Sequence, residues 1–525
     1  MKLENKEFGF DSFASEMAKL KNEKHFDYLI TIVGEDFGKE EGLGCIYILE
    51  NTQTHERISV KQIAKQVGEE YVIPTVLNLW ADADLLEREV YDFLGIKFLG
   101  HPDMRRLYLR NDFSNGYPLR KDFDKDPTKN MYSLEDDIEV DTTEEWNLDA
   151  SGNLVSTKHQ LFTDDDYVVN FGPQHPAMHG VLRLQTVLDG ETVKHIYPHL
   201  GYIHRGIEKL CEDFTYPQTL ALTDRMNYLS AMMNRHALVG VIEEGLGVEL
   251  SDRIKYVRTI IDELQRIDNH LLYTSCVAQD LGALTAFLYG MRDREHVLNV
   301  MEETTGGRLI QNYYRIGGLQ ADIDPNFVSN VKKLCKYLRP MVQEYLDVFG
   351  DNVITHKRLE KVGYMNATDC ISYAVTGPAG RAAGWRNDVR KYHPYDMYDK
   401  VNFDEVVLSG GDSMDRYYCH IQEIYQSLNI IEQLIDNIPE GDFYIKQKPI
   451  IKVPEGQWYY AVEGASGEFG CYLDSHGDKT AYRMKFRPMG LTLVGALDKM
   501  LKGEKIADLI TNVAALDFVI PDIDR

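Results

Sequence analysis

The feature that most constrains this chain is one interior segment. Residues 124–166 carry thirteen acidic residues against three lysines, a net charge of −10. Apolar residues are sparse there and follow neither a helical nor a strand period. Such a segment cannot bury enough apolar surface to offset its conformational entropy, so it reads as a solvated acidic linker with little core of its own. A domain is therefore expected on each side, over 1–123 and 167–525, and a chain of 525 residues is long enough for both.

The two sides differ in pattern. In the first, residues 11–21 have the spacing of a short amphipathic helix. HFDYLITIVG (25–34) and GCIYILEN (44–51) are β-branched and aromatic in the manner of strands. Residues 82–95 predict a helix with Asp82 or Asp84 as cap and Gly95 as terminator. This is a small α+β domain. The second side is mostly helical. Ser251 precedes a run with Ile254, Val257, Ile261, Leu264 and Leu271 on one face. A second helix over 327–345 contains Pro340, expected to kink it. A third starts at Ser413, with Pro439 as its stop. Its ends, 168–190 and 457–488, read as β-rich.

Composition excludes several classes. The net charge is −26, which opposes nucleic-acid binding and direct attachment to an anionic membrane surface, because both need clustered Lys and Arg. No apolar run reaches membrane-spanning length, and the first residues hold no apolar stretch of a secretory leader. The seven cysteines are scattered, the nearest two (Cys335 and Cys370) being 35 residues apart. That predicts a reducing compartment, no disulfide framework and no metal site built on C-x-x-C. No nucleotide-binding or common hydrolase motif is present.

Three places carry candidate chemistry. Gly172-Pro173-Gln174-His175-Pro176-Ala177-Met178-His179-Gly180 holds two histidines four apart, but Pro176 and the flanking glycines favour a turn over a helix. A structural loop, a metal site and a histidine aimed into a cavity as a proton or hydrogen-bond donor all remain open. Asp224-Arg225-Met226-Asn227-Tyr228 leads into an apolar helix, where a tyrosine is ordinarily a packed ring with a bonded hydroxyl. Asp280 is a lone carboxylate in an apolar stretch, readable as a cap, a buried ion-pair partner or an acid oriented toward a histidine. A fourth segment, 380–399, mixes Gly, Arg, Asp and Tyr as a solvated loop would, or as an ordered loop whose ion pairs hold a site or a contact with a neighbouring chain.

Long motifs then bring a resemblance. NFGPQHPAMHGVLRL (170–184), PHLGYIHRGIEKL (198–210), DRMNYLSAM (224–232), RIGGLQADI (315–323), GEFGCYLDS (467–475) and the DIDR of 522–525 resemble the 49 kDa (D) subunit of respiratory complex I. LLEREVYDFLGIKFLGHPDMRRLYL (85–109) and NGYPLRKDF (115–123) resemble the 30 kDa (C) subunit. The resemblance covers nearly all the chain outside the acidic linker and the first few tens of residues. It implies an α+β domain joined to a mostly α-helical domain, similar to the nickel–iron hydrogenase large subunit, with β-rich ends. The hydrogenase's two C-x-x-C motifs are absent, GPQHP and LDFVIPDIDR standing near the two ends of the domain. The resemblance therefore implies a lost metal site whose cavity takes a quinone.

It also implies roles. His179 and Tyr228 would hydrogen-bond the quinone headgroup, with His175 on the same loop. Asp280 would pair with His179. Arg225 would stand beside a 4Fe-4S cluster held by the adjacent B subunit. Partners would be the B and I subunits and the membrane-embedded H subunit, at the cytoplasmic face of the inner membrane, in a proton-translocating complex with no nucleic acid and no metal on this chain. Two departures stand out. Where many members have a histidine after G-x-R-x, this chain has Ile310. Losing that donor should lower the cluster potential and favour menaquinone over ubiquinone. The segment between Pro449 and Trp458 is also shorter than usual, which removes an extra helix. A scaffold linking the electron-input arm to the membrane arm is the competing reading, and a hydrogenase would need four cysteines that are missing. The electron donor, NADH or ferredoxin, is left open.

Overall fold

A computed structural model describes residues 1–126, 141–163, 165–178 and 180–525. The first domain has two sheets. One orders its strands Asn5–Glu7, Arg57–Ile63, Leu43–Glu50 and Tyr28–Asp36, with Tyr28–Asp36 at an edge. The helix Ala83–Leu94 packs on that edge strand so closely that a Cβ on Gly34 would meet Leu94 and Val90 below 3 Å. Gly95 ends this helix at φ 72°, as its lack of a side chain permits, and Asp82 precedes it without making a side-chain cap bond.

The second sheet corrects the reading of 124–166 as lacking any strand period. Thr142–Leu148 and Leu154–Gln160 form an antiparallel hairpin that continues the strands Lys65–Val67, Glu70–Pro74 and Ile96–Leu99. The pattern is hidden because the hairpin is mostly exposed, so its strands need little apolar surface. Only Thr143 is buried, its hydroxyl donating to the Pro102 carbonyl at 2.9 Å, and Lys97 lies 3.6 Å over the Trp146 ring. Asp149 closes the turn by accepting from the backbone of Ser151 and Asn153, with Gly152 at φ 82°. Residues 127–140 of the same segment lie outside the described residues.

The second domain is built on Ala231–Leu246, Asp252–Asp280, Leu284–Thr305, Phe327–Tyr345 and Ser413–Leu434. Ser251 caps the longest of these, accepting from the Ile254 amide. Pro340 does not interrupt its helix, which runs on to Tyr345, and Ser413–Leu434 ends five residues before Pro439. Three-stranded antiparallel sheets stand at both ends: Tyr167–Phe171, Arg183–Asp189 and Thr192–His199, then Gly456–Glu463, Glu468–Ser475 and Arg483–Arg487. No described helix is long and apolar enough to cross a membrane.

The two domains share a buried polar seam. The strand Arg483–Arg487 faces the edge strand Tyr28–Asp36 through guanidinium groups. Arg483 donates to the Gly34 carbonyl at 3.0 Å and Arg487 to that of Ile30 at 3.3 Å. Arginines thus satisfy an edge that a second strand would otherwise template. Tyr28 and Tyr472 donate across the seam to Glu468 and Glu35, each at 2.9 Å. At its end Arg525 binds Glu89 through two bonds of 2.7 and 2.8 Å and Glu208 at 2.9 Å, while Lys485 also pairs with Glu89. All four side chains are buried.

Candidate functional site

Three elements meet at one end of the helical core: the loop before Ala231–Leu246, the C-terminal turn of Asp252–Asp280, and the tail after Ile506–Ala515. The loop is held from beneath. Arg235, on the first turns of Ala231–Leu246, donates to Asp224 Oδ1 at 2.7 Å, to the Leu220 carbonyl at 2.7 Å and to the Tyr314 carbonyl at 3.0 Å. Asn234 donates to the Thr223 and Asn227 carbonyls, and Asn227 Oδ1 accepts from the Leu229 amide. These bonds fix residues 224–230 from both ends. Asp224, Met226 and Asn227 are turned inward, while Tyr228 is left half-buried and Arg225 exposed.

Tyr228 faces the helical core. Burial raises its phenol pKa above the ordinary value, the neighbouring Cys276 adds to this, and Arg294 opposes it. Arg294 is held by Asp268, whose carboxylate oxygen lies 2.9 Å from Nε. Cys276 is the half-buried member of seven free cysteines. Its thiol is pushed up to about 11, first by burial and then by the charges of Asp280 and Asp517. Asp280 is the last residue of its helix, half-buried and one turn beyond Cys276. Cys276 therefore links Tyr228, Asp280 and Asp517 into one neighbourhood, and sequence reasoning gave it no role.

The histidine loop is a turn, with a short 3₁₀ segment at Pro176–Met178 in place of a helix. Gly172 holds φ 86°, and a Cβ there would lie 1.9 Å from the Leu182 carbonyl, so only glycine fits. Met178 is fully buried, and His175 is half-buried with its ring edge-on to Phe171 at 6.1 Å. A Cβ on Gly180 would meet Ile520 at 2.6 Å, so the loop rests against the chain's tail. His179 lies outside the described residues.

The tail motifs have plain structural work. Asp522 accepts from the Gly490 amide at 2.9 Å. Asp524 accepts from the Gly201 and Ile203 amides at 2.9 and 3.0 Å, fixing the GYIHR turn. On that turn Arg205 is exposed and donates to the Arg225 carbonyl at 2.7 Å. Its guanidinium pKa is lowered by partial burial and by Arg225, so two arginines stand side by side on this face. Arg205 is a second cation that sequence reasoning missed, although the GYIHRGIEKL motif contained it.

Segment 380–399 is ordered and carries ion pairs, running from the end of the short helix Gly377–Ala382 through a second, Val389–Tyr392. Arg381 donates to Glu423 at 2.7 Å and to Glu463 at 2.7 Å, and Arg390 pairs with Asp388 at 2.7 Å and Glu263 at 3.0 Å. Tyr398 and Ser427 each donate to Glu263 at 2.6 Å. Every member of this network is buried. Charges so far from water persist only when each is matched and hydrogen-bonded.

Known proteins share this sequence along nearly its whole length. Residues 10–129 match the family described as the respiratory-chain NADH dehydrogenase 30 Kd subunit. Residues 280–451 and 442–525 match its 49 Kd subunit. The NADH-quinone oxidoreductase C/D subunit of Phocaeicola vulgatus is 55% identical over 510 residues, covering 97% of each chain. That of Bdellovibrio bacteriovorus is 35% identical over 96% of this chain and 92% of its own. The separate D subunit of Bacillus anthracis is 41% identical over its full length and 69% of this chain. The chain belongs to the family of fused C/D subunits of the NADH-quinone oxidoreductases, the complex I enzymes.

Proposed function

We propose that this chain forms much of the quinone-reduction site of a proton-translocating NADH-quinone oxidoreductase. Tyr228 carries the reading: its phenol is half-buried on a loop that Arg235 and Asn234 hold rigid, beside Cys276 and the end of the Asp280 helix. Quinone reduction takes two electrons and two protons, so the headgroup oxygens need positioned donors. Tyr228 with its proton retained supplies one. His179 supplies the second, and Asp280 sets the protonation of that histidine. His175 contributes to the loop wall.

Electrons arrive from a 4Fe-4S cluster held by the B subunit. The cysteines of this chain are dispersed, six of them buried, and are not grouped as cluster ligands among the described residues. The adjacent Arg205 and Arg225 suit a neighbour that becomes more negative on reduction. Ile310 is half-buried and offers no hydrogen bond, which suits a low-potential cluster and menaquinone. The domain's likeness to the large subunit of a hydrogenase is part of the same proposal, supported by the contact of the Gly180 loop with Ile520, since these segments stand where the two cysteine motifs would be. The B, I and H subunits are the proposed neighbours, at the cytoplasmic face of the inner membrane.

The scaffold alternative separates cleanly. In the assembled complex, His179→Ala lowers quinone reductase activity by at least about a hundredfold while the complement of subunits is unchanged. Ordinary activity in that complex favours the scaffold.

A further inference from the structure

Beside the candidate quinone site lies a second cluster whose chemistry is unassigned. His270 is on Asp252–Asp280, His420 is on Ser413–Leu434, and Asp517 follows Ile506–Ala515; all three are buried. One ligand atom from each lies within 4.8 Å of the other two.

The outer hydrogen bonds fix which atoms face inward. His270 Nε2 lies 3.1 Å from Glu423 Oε2, and Glu423 already accepts two bonds from Arg381, so it is an acceptor and Nε2 carries the proton. His420 Nδ1 lies 2.7 Å from the Arg416 carbonyl, which can only accept, so Nδ1 carries the proton. In the neutral rings, His270 Nδ1 and His420 Nε2 are then bare lone pairs. Neither has a hydrogen-bond partner, and the two side chains are 0% and 2% exposed. Asp517 Oδ2 stands 3.4 Å from His420 Nε2, oriented by Asn269 Nδ2 at 2.7 Å and the Ser466 hydroxyl at 2.9 Å. Tyr273 stacks on the His420 ring at 3.7 Å and 16°, setting its plane.

Three electron-pair donors thus converge out of reach of water, with no proton donor between them. The two unpaired buried nitrogens are costly, and their lone pairs repel the Asp517 oxygen, which Asn269 and Ser466 already bond. A cation removes both penalties. Each histidine also bonds a carboxylate or backbone carbonyl through its outer nitrogen, as metal-bound histidines almost always do. Two imidazoles and one carboxylate match three-ligand zinc sites that keep a fourth position for water. We propose that His270 Nδ1, His420 Nε2 and an oxygen of Asp517 bind a zinc ion, which clips two core helices to the tail supporting the Gly180 loop.

The test uses the assembled complex, dialysed against chelator and analysed for zinc by mass spectrometry and by X-ray absorption at the zinc edge. Wild type is expected to hold one zinc more per complex than His420→Ala and Asp517→Asn. His420→Cys is expected to keep the zinc and to gain a sulfur scatterer at about 2.3 Å, in place of one nitrogen at about 2.0 Å. That gain guards against variants that lose metal by failing to fold. Equal zinc in wild type and the two loss variants, or His420→Cys without a sulfur shell, overturns the proposal. Wild type without zinc overturns it as well, and assigns the cluster a shared proton instead.

Discussion

His236 shows how single residues here depart from their ordinary chemistry. Burial disfavours its charge, yet Asp262 at 2.6 Å and Asp396 at 3.2 Å raise its pKa to about 9. Tyr314 and Tyr395 cover it edge-on, and Tyr460 lies beyond them. A histidine whose folded pKa is raised from 6.5 contributes stability that is complete below pH 6.5 and is lost as pH rises through about 9. The contribution is roughly 3 kcal/mol. Thermal unfolding between pH 6 and 10 should show this loss, and His236→Gln should flatten it. Ile310 is the other informative residue. With the proposed cluster beside it, Ile310→His is expected to raise that cluster's midpoint and make it pH-dependent, as redox titration would read. A wild-type midpoint already high and pH-dependent contradicts the account. Ile310 and Tyr228 could be named from sequence because they stand in or beside long motifs, and Tyr228 is half-buried beside Cys276 in the fold. Cys276 and Arg205 could not, because Cys276 meets Tyr228 and Asp517, and Arg205 meets Arg225, only once the chain has folded.

Elements with a clear hydrophobic period were readable from sequence. The helix after Ser251 has a cap and an apolar face that agree, so its start follows from local chemistry alone. Pro439 was overread as the stop of its helix, which ends at Leu434, five residues earlier. The hairpin of 142–160 was missed because it is held mainly by backbone pairing and buries little. Its acidic side chains conceal a strand that the neighbouring sheet completes. The histidine loop was readable as a turn, and Gly172 is its tightest point. Gly172→Ala would press a methyl into the Leu182 carbonyl, a backbone atom with little room to move, at a positive φ. A cost above about 1 kcal/mol is expected. The assay is quinone reductase activity of the assembled complex, which should fall while NADH oxidation by an artificial acceptor persists.

At the scale of the molecule, the acidic segment that divides the chain does not leave its halves apart. Arg525, Glu89, Glu208, Arg483 and Lys485 form a buried ionic node where motifs from both halves meet. The LLEREV, GIEKL and DIDR stretches, each more than a hundred residues from the next, meet at this node through Glu89, Glu208 and Arg525. Sequence shows each motif but not their meeting. Glu89→Gln leaves Arg525 and Lys485 short of buried negative charge. It should destabilise the seam by roughly 3–5 kcal/mol, seen as a lower unfolding midpoint and faster proteolysis between the halves.

The proposed site makes Tyr228 a hydrogen-bond and proton donor to a quinone that receives its electrons from the neighbouring cluster. The most direct measurement is quinone reductase activity of the assembled complex carrying Tyr228→Phe, set against NADH oxidation by an artificial acceptor in the same sample. The substitution keeps the ring packed between its neighbours and removes only the hydroxyl. A fall of at least about a hundredfold in quinone reduction, with artificial-acceptor activity and the complement of subunits unchanged, is the predicted result. Quinone reduction at the wild-type rate would contradict it.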